Sequence, residues 1–340
     1  MPRLYSLDTL RGIAVIGIVF WDFFALLAKD LNWYAFRIVG NFPFYGLPPA
    51  LFFFVSGVSE SLSISARRIR GDNPRQIRNH VMSRACILLL AGILLTMVLR
   101  EPADSWGIFE GIALCSVVAY FLLSYVGLRL LVALLVGVVY LGSLIPPYFS
   151  LDMPSVEFLG NEYYVIPNFV QRAFFSGLFP FFPFFSLTLV GAILGKLLVD
   201  GKVGSRGLVL GGLAITAAGW LLYLAGFPME YHQAGNIYSL ACIIFCIGAS
   251  TLALGSLFWL LDAARFGLTA FTPLVDCGRA SFAICFWRYP LLYNPLIYFG
   301  LGFALSTSTS AILSVALLFL IWLISPAWIR LRERYGLRIF

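Results

Sequence analysis

Charge is what this sequence lacks most. Asp, Glu, Lys and Arg make up 11% of its 340 residues, against about 25% in an ordinary soluble domain, so a chain with a water-facing surface all round is excluded. Histidine is nearly absent. His80 and His232 are the two in the chain, and neither falls inside an apolar run, so the runs hold no imidazole to serve as base or metal ligand. The six cysteines, Cys86, Cys115, Cys242, Cys246, Cys277 and Cys285, lie in or beside apolar runs, and Cys242 and Cys246, four apart on one expected helix, have no His or second Cys pair beside them. They read as buried thiols rather than metal ligands or a disulfide framework, and no metal site is expected. The first apolar run has no small-residue cleavage pattern behind it, so it is expected to be a retained span.

What is there instead is apolar surface, 61% of the residues. Apolar stretches of spanning length recur along the whole chain. They predict an all-α, polytopic integral membrane protein that forms one domain over 1–340. About ten helices are expected, near 12–28, 47–65, 82–99, 107–126, 128–146, 177–199, 207–226, 237–261, 279–302 and 309–328. The basic residues then fix the orientation. With a cytoplasmic N-terminus, 18 of the 23 Lys and Arg fall in cytoplasmic segments, four fall outside, and Arg288 is left within a span. Both termini are therefore expected in the cytoplasm, in a multi-pass protein of the cell membrane, plasma or inner. Basic residues sorted by topology make no soluble patch, so nucleic acid is not an expected partner; the bilayer is. A homodimer is an open alternative to a monomer.

Ionisable residues at membrane depth are functional candidates by default. Asp22, Glu60 and Arg288 stand out. On the first helix, Arg11 and Asp22 lie about 20° apart around the axis and roughly 16 Å apart along it. One face thus carries charge at its entrance and again near mid-depth. Arg288 lies roughly 14 Å along its own span from Arg279, level with Asp22. Either charge alone would be costly in lipid, whereas a pair is tolerable, so Asp22 and Arg288 are expected to approach each other. Two readings stay open for that pair, a structural lock and a reactive site. Pro290, two residues on from Arg288, should kink the span there.

Elsewhere the segment from Arg67 to Arg84 is dense in arginine. Retention of topology explains it, and so does an anion site in which Arg67, Arg68, Arg75 and Arg78 bind phosphates. The stretch 147–176, rich in Pro, Phe and Tyr, reads as interfacial cover or as a substrate-facing lid. Gly191-x-x-x-Gly195 and Gly207-x-x-x-Gly211 read as close helix packing.

Several segments resemble a known family. Leu7-Asp-Thr-Leu-Arg-Gly-Ile-Ala14, Leu51-Phe-Phe-Phe-Val-Ser-Gly57 and Trp106-Gly-Ile-Phe-Glu-Gly-Ile-Ala-Leu-Cys115 are three of them. Phe175-Ser-Gly-Leu-Phe-Pro-Phe-Phe-Pro183 with Val190-Gly-Ala-Ile-Leu-Gly195, and Gly278-Arg-Ala-Ser-Phe-Ala-Ile284, are the others. In this order they resemble the heparan-alpha-glucosaminide N-acetyltransferase-like family of transmembrane acyltransferases. The resemblance implies acyl-CoA, acetyl-CoA in the simplest case, as a cytoplasmic co-substrate. It implies a sugar or glycan-type acceptor on the other side. Arg11, Arg67, Arg68, Arg75 and Arg78 would meet the CoA phosphates. Asp22 would act as base or orient the acceptor, Asn41 would polarise the acyl carbonyl or bind the acceptor, and Arg288 would stabilise developing negative charge. The departures are specific: Asn41 aligns where the family carries a catalytic His, Asp22 where it carries Asn, and Arg288 where a further His is common. The rival reading is a non-catalytic relative that carries a lipid-linked or small anionic solute past Asp22 and Arg288. A third is a membrane scaffold.

Overall fold

The computed structural model describes residues 4–29, 46–99, 106–144, 155–158, 161–164, 170, 172–176, 179–227, 231–232 and 237–335. The protein is an all-α membrane bundle with two short antiparallel hairpins, β1 (Ser155–Phe158) with β2 (Asn161–Tyr164) and β3 (Tyr231–His232) with β4 (Ile237–Tyr238). Among the described residues, eight helices are long and apolar enough to cross a bilayer. They are α1 (Tyr5–Leu27), α2 (Leu47–Ile69), α3 (Pro74–Leu99), α4 (Ile108–Tyr125), α6 (Phe181–Val199), α7 (Ser205–Leu224), α8 (Leu240–Leu257, extended by a π turn at Phe258–Ala263) and α12 (Thr307–Arg334).

The other two expected spans are built differently. The fifth is a shorter helix, α5 (Leu128–Leu144). The ninth is discontinuous: α10 (Ser281–Arg288) gives way to a π turn over Tyr289–Tyr293 and then to α11 (Asn294–Tyr298). Pro290, which has no backbone N–H to donate, lies inside that π turn, so the break falls where the proline places it. A helix also occupies ground expected to be a connection, α9 (Leu268–Arg279). Gly267, at φ 67°, turns the chain into it, and its one apolar face is too short to register as a span.

The helix α1 is the centre of the bundle, in contact with α2, α8, α9, α10 and α12. Both its ends are fastened by distant residues. At its start the Asp262 carboxylate accepts from the backbone N–H of Tyr5 (2.8 Å) and Ser6 (3.1 Å). That satisfies two donors which the first turn of a helix leaves without intrahelical partners. At its far end the amides of Phe303 and Leu305 donate to the carbonyls of Leu26 and Leu27, at 2.8 and 3.0 Å. Against α9 the two backbones nearly touch: a Cβ at Gly12 would overlap the Leu274 carbonyl, and one at Gly278 the carbonyl of Asp8.

Small residues set the other close pairs. Gly191 and Gly195 face Phe54 and Val58 on α2, and Gly57 faces Thr188, so α2 and α6 run parallel in contact, as the Gly191 spacing suggests. The Gly207 spacing misleads. Gly211 has open space around it, while Gly212 and Gly219 meet Leu252 and Phe245 on α8. The face that packs is one residue, or 100°, away from the motif.

These contacts send the start of α1 and the ends of α2, α6, α8, α9 and α12 to one end of the bundle. The basic residues Arg11, Arg67 to Arg84, Lys196 to Arg206, Arg265, Arg279 and Arg330 to Arg334 collect at that same end. The first and last described helices therefore begin and finish on one side.

Candidate active site

At the arginine-rich end a cavity of about 880 Å³ opens between α1, α2, α3, α4, the α9–α10 junction and α12. Its wall on α3 runs from Arg84 to Leu94, ten residues and so roughly 15 Å of depth. Among the described residues, four guanidinium groups line it, those of Arg11, Arg84, Arg279 and Arg332, with Asp8 as the single lining carboxylate. Further in, the wall is aromatic and aliphatic: Phe52, Phe109, Phe282, Phe286 and Trp287. The Phe109 and Phe282 rings meet edge to face at 5.4 Å, and Phe282 stacks on Phe286 at 6.1 Å.

Each lining arginine has a fixed partner. Arg11 contacts Asp8 at 3.2 Å and the Ser59 hydroxyl. Arg84 meets Glu60 at 3.6 Å; Glu60 is 3% exposed, and its other carboxyl oxygen has no hydrogen-bond partner. Arg279 lies between Asp276 (3.7 Å) and Glu333, and Arg332 donates to the Arg279 carbonyl at 3.2 Å. Apart from Asp8, these carboxylates lie outside the cavity wall, so they orient the guanidinium groups and leave the lining positive.

The remaining arginines expected to hold phosphate stand apart from the cavity. Arg67 is taken by Asp72 at 2.9 Å. Arg68, on the last turn of α2, and Arg75 and Arg78, at the start of α3, are exposed and do not line the cavity. Local chemistry explains why. Gly71, at φ 86°, ends α2, and Asn73 and Gln76 cap α3 reciprocally, at 2.9 and 2.8 Å. This tight corner turns its basic side chains outward. Asn41 lies outside the described residues.

Beyond the cavity, Asp22 and Arg288 meet as their depths imply: Nη2 of Arg288 is 2.7 Å from Oδ2 of Asp22. Tyr289 completes the cluster. Its hydroxyl accepts from Arg288 Nη2 at 2.8 Å and donates to Asp22 at 3.5 Å, and the guanidinium lies 4.5 Å from the ring centre. The Arg288 side chain is 5% exposed and that of Asp22 31%, so the guanidinium is the more enclosed partner. Neither lines the cavity, whose α10 wall ends at Trp287. The cationic and apolar cleft and the ion-paired cluster are thus separate, with Phe286 and Trp287 between them along α10.

The chain is matched over residues 3–228 by the family model for heparan-alpha-glucosaminide N-acetyltransferase, catalytic. That is about two-thirds of its length. The chain belongs to this family. No curated protein matches it closely enough to add detail. The heparan-alpha-glucosaminide N-acetyltransferase match takes in α1 to α7, and with them four of the five resembling segments. It stops short of α9 to α12, which supply Arg279, Arg332 and Arg288, so 17 of the 27 residues that line the cavity come from the matched region and ten from beyond it. The protein is accordingly a multi-pass membrane protein of an acetyltransferase family.

Sequence reasoning did not single out four contributors. Arg279 and Arg332 look like ordinary end-of-helix basic residues until folding brings α9 and α12 together. Tyr289 carries no signal beyond its place next to Arg288. Glu110 is different: an acid two residues into α4, buried, packed into the notch that Gly92 leaves on α3. An acid inside an apolar run was the available signal.

Proposed function

We propose that the protein transfers an acyl group, acetyl in the simplest case, from acyl-CoA to a hydroxyl or amine of a sugar or glycan-type acceptor across the membrane. The observation that carries the reading is the cavity, with four arginines at its mouth and an apolar bore some 15 Å deep. A CoA molecule has the same polarity, phosphates at one end and a long, weakly polar pantetheine arm at the other. On this reading Arg11, Arg84, Arg279 and Arg332 engage the phosphates, and the arginine-rich end faces the cytoplasm, in keeping with the charge asymmetry of the loops.

The acceptor's oxygen or nitrogen attacks the thioester carbonyl, the C–S bond breaks, and CoA leaves as its thiolate and takes up a proton. Asp22, ion-paired and partly open, accepts a hydrogen bond from the attacking O–H or N–H and receives its proton. Arg288 faces the oxyanion that develops on the carbonyl. Asn41 keeps its proposed place as a carbonyl- or acceptor-binding group. The test is transfer of labelled acetyl from acetyl-CoA by the purified protein, together with thermal stabilisation by CoA. Arg84→Ala with Arg332→Ala abolishes the stabilisation on this reading. Stabilisation that survives the double substitution overturns it.

The carrier alternative has one observation in its favour, the break in the α10–α11 span beside a buried ion pair, since discontinuous helices mark solute sites in transporters. Solute uptake that depends on Asp22, with no response to CoA, would favour it over transfer.

A further inference from the structure

The α2–α3 corner holds a group of arginines that the cavity does not use. Arg68, Arg70, Arg75 and Arg78 are all exposed, and no carboxylate lies within ion-pair distance of any of them among the described residues. The one acid in the turn, Asp72, is occupied by Arg67 at 2.9 Å. The corner is built to hold its shape. The amides of Gly71 and Asp72 donate to the carbonyls of Arg68 and Arg67, at 3.0 Å each, and the Asn73–Gln76 pair caps the next helix. Between Arg68 and Arg70 stands Ile69, 69% exposed, which is unfavourable in water and favourable against acyl chains. Since α2 and α3 are both membrane-spanning helices, the turn that joins them lies at the membrane surface.

We propose that this corner is a docking surface for the headgroups of anionic phospholipids, with Ile69 as its apolar foothold. Guanidinium groups pair with phosphate oxygens through two parallel hydrogen bonds, and clustered basic residues next to a span draw anionic lipid from the adjoining leaflet. A soluble phosphate ligand would need the arginines but would leave Ile69 in water. The inference does not rest on acyl transfer; it would hold for a carrier as well.

The experiment compares the purified full-length protein in phosphatidylcholine bilayers with and without one-third phosphatidylglycerol. Phosphatidylglycerol raises the unfolding temperature of the wild type by several degrees. The quadruple variant Arg68→Gln, Arg70→Gln, Arg75→Gln, Arg78→Gln loses that increment and keeps its stability in phosphatidylcholine alone. If the quadruple variant does not fold, the pair Arg75→Gln, Arg78→Gln at the start of α3 loses part of the increment. An equal response to phosphatidylglycerol in wild type and variant overturns the proposal. So does a difference between them that arises with CoA or inorganic phosphate, at matched ionic strength, and not with lipid.

Discussion

The Arg288 guanidinium lies 2.7 Å from the Asp22 carboxylate across 266 residues of chain, with the Tyr289 hydroxyl on the same nitrogen at 2.8 Å. The contact fastens the broken α10–α11 span to the central helix at membrane depth. It leaves one partner enclosed and the other open, so the two respond differently to substitution.

Removing the Asp22 carboxylate strands a guanidinium that is 5% exposed, and leaving a buried charge unpaired costs about 3–5 kcal/mol. Asp22→Ala should lower thermal stability in detergent by that order. Arg288→Ala should lower it less, because the Asp22 side chain is less enclosed, at 31% exposed. The exchange Asp22→Arg with Arg288→Asp should regain part of the loss. Unfolding temperatures of the four proteins check this, and normal behaviour in both single variants would dismiss the pair as a fastening.

Adjacent glycines on α7 make a sharper test of packing. Gly211→Ala adds a methyl group in open space and replaces glycine inside a helix, so it should be neutral or stabilising by up to about 1 kcal/mol. Gly212→Ala drives a Cβ into the Leu252 backbone and should cost about 1–3 kcal/mol. Thermal unfolding of the two variants decides which face of α7 meets α8.

Asp262 tests long-range capping. Asp262→Ala removes the acceptor for Tyr5 and Ser6 and should cost about 1 kcal/mol, as cap losses do. Asp262→Asn keeps one carbonyl acceptor and should recover part of it. Exchange of the first amides of α1, followed by hydrogen–deuterium mass spectrometry, should quicken in the order wild type, Asn, Ala.

Glu60 holds Arg84 against the cavity wall. On the acyl-transfer reading, Glu60→Gln removes that charge contact, so KM for acyl-CoA should rise while kcat changes little. Steady-state kinetics against acyl-CoA at saturating acceptor separate the two. A fall in kcat with KM unchanged would remove Glu60 from the binding end.

Much of this was legible in the residue order. Apolar run lengths announce a membrane bundle because a bilayer admits few other structures. The placement of Arg11, Asp22 and Arg288 along their helices predicts a meeting at one depth, since helical rise per residue is fixed. The break near Pro290 follows from the missing amide hydrogen. Where the reading went astray, the deciding contact lay between elements. The Gly207 motif shares its spacing with a true packing face and lies 100° from it.

Residue order alone carries the class of the protein, the sorting of its basic residues to one end, and the need for a partner to each intramembrane charge. All of these follow from local quantities: run length, helical periodicity and the cost of bare charge in lipid. Which four arginines line a cavity was a matter of tertiary packing, because Arg11, Arg84, Arg279 and Arg332 come from four helices, two of which, α1 and α9, are drawn together by backbone approach at Gly12 and Gly278. Tertiary packing also decided that the cavity ends before Asp22 and Arg288, with Phe286 and Trp287 between. Side-chain volume across an interface, which no single stretch of sequence contains, makes that division.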